Sequence, residues 1–204
     1  NGYKELGVVL KEPFHLSYPF LLENNGELYM CPGTQKSKDI RLYKCVDFPL
    51  KWEFEMILIK DVSASDTNIF YKNDKWWLLT NICSSNLEDH NSELHLFSSD
   101  DLLSNLWRPH PKNPVIFDSL RARNGGMIFD QGDIFRVFQS HGWDFYGESL
   151  GVAKISELTT SNYEEEIQFV LEPKFFKNIK GVHSLSHNNG LVAIDFVKSD
   201  NNIR

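Results

Sequence analysis

Several things are scarce in this 204-residue chain, and each scarcity excludes a class. It has no run of about 18 apolar residues, so no segment reads as a membrane-spanning helix. Basic residues are outnumbered, 21 Lys+Arg against 28 Asp+Glu, giving a net charge of −7. A nucleic-acid binder needs a basic face to neutralise phosphates, so that partner is not expected. Cysteine is rare: Cys31, Cys45 and Cys83 cannot all pair within the chain, and they lack the spacing of a metal knuckle. They read as reduced thiols. Reduced thiols set the expectation of a cytoplasmic protein, and neither an Asn-x-Ser/Thr site nor a secretory leader is seen. Gly-rich phosphate loops, a Ser nucleophile elbow and Cys/His ligand clusters are all missing. Helix-length amphipathic runs are missing too.

What is present is aromatic: 15 Phe, 7 Tyr and 5 Trp. Aromatic and β-branched residues favour strands. They fall into a repeat. Residues 19–30, 68–79, 126–137 and 184–194 each hold a short apolar strand, a turn of Asn, Asp, Gln or Gly, and a second apolar strand. These turn residues tolerate positive φ cheaply, which suits tight hairpins. The unit recurs about every 50–60 residues.

A third strand follows at 41–47 and 93–100, each running on to a Trp (Trp52, Trp107), with a looser copy at 150–157. A fourth is expected at 54–59, 113–117 and 167–173. Four short antiparallel strands per unit, with no helices, is the pattern of a β-propeller. One such sheet cannot bury both faces alone, and radial stacking solves the problem. The expected divisions are a closing strand of an incomplete first blade at 1–13, blades at 14–61, 62–118 and 119–176, and a partial last blade at 177–204. The first blade is therefore expected to be truncated. The acidic run 164–166 reads as a solvated strand edge.

In a propeller the first strand of each blade points its leading residues toward the axis. Those residues include His15, Tyr18, Asp66, Arg121, Arg123 and His183. They compose either a polar binding pocket or structural polar groups that satisfy buried backbone. Asp66 is the carboxylate best placed for catalysis. Close packing would raise its pKa, a neighbouring Arg would lower it, and the sequence leaves that balance open. His183 and His187 lie about 13 Å apart along a strand, too far to share one metal, so no metal site is assigned. Gln139, His141, Trp143, Asp144 and Tyr146 crowd one segment whose rings and polar groups suit a sugar, or alternatively fill an inter-blade loop.

The runs at 15–20, 41–52 and 93–97, Asp66-Thr67 with Trp76-Trp77-Leu78, and the stretch from Trp107 to Val115 carry a resemblance. So do Arg121-Ala122-Arg123, Gln139, Tyr146-Gly147 and Gly181-Val182-His183. Together they resemble the N-terminal domain of glucosamine inositolphosphorylceramide transferases. That domain is similar to the five-bladed propellers of glycoside hydrolase family 43. The resemblance implies five blades, a base carboxylate on the first, a pKa-tuning Asp on the third and an acid Glu on the fourth. Asp66 matches the tuning Asp in its Ala-x-Asp-x-x-x-Phe setting. Arg123-Asn124-Gly125 stands where the acid Glu would be. His183 matches a His that helps hold a calcium ion or a water in relatives, and no other cofactor is implied.

Glycoside hydrolysis normally needs two carboxylates across the scissile bond. A guanidinium cannot replace a general acid, but it clamps carboxylate, phosphate or sugar oxygens. The leading expectation is a module that recognises a sugar or sugar-nucleotide beside a fused glycosyltransferase or formyltransferase-type domain. Its ligand residues are His15, Tyr18, Arg121, Arg123, Gln139, Tyr146 and His183. A glycan-active enzyme of transferase or glycoside-hydrolase type using Asp66 is the alternative, and a structural or assembly domain is the third.

Overall fold

The structure is a computed structural model that describes residues 4–84, 89–141 and 147–198. Among them there is no α-helix. One 3-10 turn, Gln35–Ser37, accompanies fifteen strands. The strands are β1 (Ser17–Asn24), β2 (Glu27–Gly33), β3 (Asp39–Asp47), β4 (Lys51–Lys60), β5 (Ala64–Lys72), β6 (Lys75–Ile82) and β7 (Glu93–Ser99). They continue with β8 (Arg108–Pro109), β9 (Ile116–Phe117), β10 (Arg123–Asp130), β11 (Asp133–Ser140), β12 (Ser149–Leu158), β13 (Tyr163–Leu171), β14 (Ile179–Asn188) and β15 (Leu191–Lys198). They form antiparallel sheets in chain order: β1-β2-β3-β4, then β5-β6-β7-β8 with β9 also on β7, then β10-β11-β12-β13, then the pair β14-β15.

The repeat has a simple backbone cause. Each sheet begins with a two-residue hairpin whose central residues both take positive φ. These pairs are Asn25 (52°) with Gly26 (78°), Asn73 (52°) with Asp74 (57°), Gln131 (47°) with Gly132 (86°), and Asn189 (48°) with Gly190 (77°). Two positive-φ residues make a type I′ turn, whose twist matches that of the strands it joins. Register then follows, with Asn24 opposite Glu27, Asp130 opposite Asp133 and Asn188 opposite Leu191.

The chain divides into two compact units, Asn1–Leu78 with Phe97–Arg108, and Leu79–Leu96 with Pro109–Arg204. In the first, Met30, Tyr43 and Trp52 form a buried cluster on which Val9, Leu10, Leu28 and Cys45 pack. The 6–13 run reaches that cluster without strand pairing of its own. In the second, Val137, Leu150, Val152 and Val182 are buried beneath Ile128, Leu185, Ile194 and Phe196. None of Cys31, Cys45 and Cys83 forms a disulfide, and full burial pushes the Cys31 thiol up to about 12.

Two expectations change. The strand expected at 113–117 shrinks to β9, because Pro114 has no N–H to give the ladder. A side chain takes over the ladder: Leu96 N–H donates to Asn113 Oδ1 at 2.8 Å, and Asn113 Nδ2 returns a bond to Leu96 O at 2.9 Å. The acidic run at 164–166 is not solvated throughout. The Glu165 side chain is only 3% exposed, because Arg136 on β11 claims it.

Candidate functional site

The first strand of three sheets opens with a register irregularity: between Ser17 and Phe20 in β1, Asn124 and Gly126 in β10, and Val182 and Ser184 in β14. Such bulges re-aim side chains and are frequent beside active sites. Near two strand starts non-glycine residues carry positive φ, Tyr18 at 46° and Asp66 at 51°. A non-glycine residue in that region stores strain of order 1–3 kcal/mol, which persists only where the surroundings over-determine it.

In the first unit, Tyr18 Oη donates to Asn68 Oδ1 at 2.8 Å. Asp66 is 3% exposed, flanked by buried Ser65, Thr67 and Asn68. Its backbone N lies 3.8 Å from the point a Cβ on Gly33 would occupy. His15, ahead of β1, is exposed.

The second unit gathers Arg123, Gln139 and His183. The segment before Arg123 is held by buried polar side chains. Asn81 Nδ2 donates to Ala122 O (2.9 Å), and Asn81 Oδ1 accepts the Asn124 N–H (2.8 Å). Gln139 Nε2 donates to Asn124 O at 2.6 Å. Arg123 Nη1 donates to Asn91 Oδ1 at 2.9 Å, and the Asn91 backbone N–H donates to Asp89 Oδ1 at 2.8 Å. Burial works to raise the Asp89 carboxyl. The Ser92 side chain, the Asn91 N–H and the charges of His90 and Arg123 outweigh it and hold it below the usual carboxylate range.

Gly147 is the hinge of the histidine side. Its N–H donates to His141 Nδ1 (3.1 Å), and its carbonyl accepts the Val182 N–H (2.7 Å). Its φ is +70°, and a Cβ there would sit 2.3 Å from the His183 ring. Only glycine allows that approach. His183 Nδ1 lies 3.3 Å from Asp195 Oδ1, whose side chain is well exposed. Burial, then the charge of Arg123, then that of His183, lower the His141 pKa to about 4, against an opposing pull from Asp89. With Nδ1 occupied as acceptor, the neutral ring carries its proton on Nε2.

The pH consequence has a definite sign. Above the ordinary histidine value of about 6.5, the ring is neutral both folded and unfolded. Below it the unfolded chain takes a proton that the folded chain refuses until about 4. His141 therefore withdraws stability as pH falls from about 6.5 toward about 4. Urea unfolding at pH 7 and pH 5 should show a smaller loss in His141→Gln than in the parent. An equal loss would remove this account.

Arg121 turns elsewhere: its guanidinium pairs with Asp118 at 3.5 Å, and it is half exposed. Tyr146, Trp143 and Asp144 lie outside the described residues. The resemblance implies a calcium ion or a water beside His183. A hard cation takes about six to eight oxygens, and among the described residues no group of three or more His, Cys, Asp and Glu converges. The residues that the motif reading passed over are Asn81, Asp89, Asn91 and Arg136. Asn81 and Arg136 each leave a signal, a polar residue inside an apolar strand: Trp76 to Ile82 for the first, Phe135 to Phe138 for the second.

Solved structures with this arrangement include enzymes of glycoside hydrolase family 43. An arabinanase from Bacillus subtilis aligns with a TM-score of 0.59 at 18% identity, covering 88% of this chain and 65% of that one. An exo-β-1,3-galactanase from Phanerochaete chrysosporium, solved with galactose, aligns with a TM-score of 0.63 at 10% identity, covering 92% and 45%. The likeness shows the fold type, the all-β five-bladed propeller of glycoside hydrolase family 43, of which the described residues supply three full sheets and the β14-β15 pair.

Residues 1–189 match the family described as glucosamine inositolphosphorylceramide transferase 1, N-terminal, and the chain belongs to that family. The glucosamine inositolphosphorylceramide transferase 1 of Arabidopsis thaliana is 36% identical over 174 residues, 83% of this chain. That of Oryza sativa subsp. japonica is 36% identical over 163 residues, 78% of this chain. The chain spans 22% of the length of each. Among the described residues no helix is long and apolar enough to cross a membrane.

Proposed function

We propose that this propeller recognises a glycan or sugar-nucleotide and works beside a glycosyltransferase-type catalytic domain. The observation that carries the reading is the cluster in the second unit. Gly147 brings the two rings together, its N–H donating to His141 Nδ1 at 3.1 Å while a Cβ on it would lie 2.3 Å from the His183 ring, and the Arg123 charge reaches the His141 ring. A guanidinium and imidazole rings offer directional donors, and Asn91, Asp89 and Gln139 supply amide and carboxylate groups around them. Such a mix suits hydroxyls and phosphate oxygens. The names of the relatives, which attach a sugar to a phosphorylated lipid, and the sugar-cleaving enzymes that share the fold support the same reading.

Calorimetric titration with xylotriose, β-1,3-galactotriose and uridine-diphosphate N-acetylglucosamine tests it. At least one should bind, and Arg123→Ala should weaken it about tenfold or more, about 1.4 kcal/mol, without lowering the melting temperature. Binding of none, or binding indifferent to Arg123→Ala, overturns the proposal. A second reading, glycan chemistry at Asp66, is favoured by that residue's strained and buried backbone. It would show in the same titrations as turnover that Asp66→Asn abolishes.

A further inference from the structure

One heavily bonded group in the second unit stands outside the recognition reading. Arg136 projects from β11 and is fully buried. It meets Glu165 on β13 through two parallel bonds, Nε to Oε2 at 2.8 Å and Nη2 to Oε1 at 2.6 Å. Tyr163 Oη donates to the same carboxylate at 2.7 Å. A bidentate pair of this kind fixes the plane of a guanidinium as well as its place.

What the fixed guanidinium does next is the telling part. Its Nη2 also donates to Arg121 O at 2.8 Å, and its Nη1 reaches Ala122 O and Asn124 Oδ1, each at 3.4 Å. Two consecutive carbonyls before Arg123 and the side chain just after it are therefore tied to one rigid group. From the other side Asn81 ties Ala122 O and the Asn124 N–H, while its Nδ2 also holds Glu93 O at 3.0 Å. Asn124 Nδ2 adds a bond to Leu79 O at 3.1 Å. The Ala122 carbonyl is thus held from both sides, and the two anchors, Asn81 on β6 and Arg136 on β11, come from different strands.

We propose that Arg136, locked by Glu165 and Tyr163, is a positioning residue that holds the backbone of Arg123 so that its guanidinium is preorganised for ligand, with Asn81 as the opposing anchor. The inference rests on the recognition reading above and names what enforces that site. Preorganised donors bind more tightly because less freedom is lost on binding.

The test compares the parent chain with Arg136→Met/Glu165→Leu, which replaces the buried pair by apolar groups of similar volume, and with Glu165→Gln, which keeps the shape and removes one acceptor. The full chain is used throughout. Thermal unfolding establishes which variants fold. In the folded ones, amide exchange at Asn124 should quicken about tenfold or more, and 15N relaxation at Arg123 Nε should report a looser side chain. Affinity for whichever of xylotriose, β-1,3-galactotriose or uridine-diphosphate N-acetylglucosamine binds the parent should fall about tenfold, with Arg123→Ala then adding little.

A folded variant in which Asn124 exchange and Arg123 relaxation match the parent overturns the proposal. So does one in which Arg123→Ala keeps its full effect on affinity. If none of the three compounds binds even the parent, the recognition reading fails alone, and the exchange and relaxation data still decide whether Arg136 sets Arg123.

Discussion

Gly126→Ala should be a severely damaging single-methyl change, lowering stability by about 3–5 kcal/mol, in the range reserved for named structural insults. Two causes add. Gly126 has φ +145°, a conformation that L side chains rarely adopt. A Cβ there would also lie 2.0 Å from Leu185 O, with the Leu185 carbonyl carbon 3.1 Å away. Those atoms belong to β14 backbone, whose register with β15 is already set, so the neighbour cannot swing aside as a flexible side chain would. Relief requires β10 and β14 to part, and the packing of Val137 and Val182 goes with them. Gly26→Ala is the control. It has positive φ (78°) but nothing within 4 Å of the added methyl, so only the conformational cost remains, about 1 kcal/mol. Urea unfolding of both variants decides. A Gly126→Ala loss no larger than that of Gly26→Ala would show that β10 and β14 are not held at this spacing.

Gly126 also shows how far the sequence could be read. The hairpins at Asn25-Gly26, Asn73-Asp74, Gln131-Gly132 and Asn189-Gly190 are local. Each turn needs two residues tolerant of positive φ, and composition announces them. The sheets follow from those turns together with period-2 alternation. The fourth strand of the second sheet was legible only as a strand, because nothing local says that an Asn113 amide will stand in for a proline-broken ladder. The acidic run at 164–166 misled for the same reason. Whether Glu165 meets water or Arg136 depends on β11 and β13, two strands away from each other in the sheet.

The site divides along the same line. Arg123 and His183 were readable as residues at strand starts and Gln139 as part of a polar, aromatic segment between strands, and in the second unit Arg123 and His183 lie near enough to His141 for their charges to lower its pKa. Asp89 and Asn91, which orient Arg123, lie between strands, where neither spacing nor periodicity speaks. The positive φ of Tyr18 and Asp66 was also hidden, since nothing in a tyrosine or aspartate announces left-handed backbone. Strain of that kind is imposed by the surroundings, not chosen by the residue.

The buried pair yields the second large effect, and its pH dependence reverses between variants. Burial alone would raise the Glu165 carboxyl. The Arg136 charge and hydrogen bonds, with the Tyr163 hydroxyl, overcome burial and hold it below the usual range. In the parent, Glu165 thus contributes stability that is fully present above the unfolded carboxylate value of about 4.3 and is lost as pH falls through the lower folded value. Arg136→Met removes the compensating cation and leaves the carboxylate buried, which should cost about 3–5 kcal/mol at pH 7. Burial then dominates, so the folded pKa of Glu165 moves above its unfolded one. Its contribution is now present below about 4.3 and is lost as pH rises through the raised folded value. Acidification should therefore narrow the gap between Arg136→Met and the parent. His141 is unchanged in both chains and cancels from that difference. Replacing both partners, as in Arg136→Met/Glu165→Leu, should cost less than Arg136→Met alone, because no charge is left stranded in the core. Urea unfolding of the three chains at pH 7 and pH 4.5 measures all of this. A gap that stays constant or widens on acidification would mean that Glu165 is not the group bearing the cost, since a stranded carboxylate must be relieved by the proton it takes up.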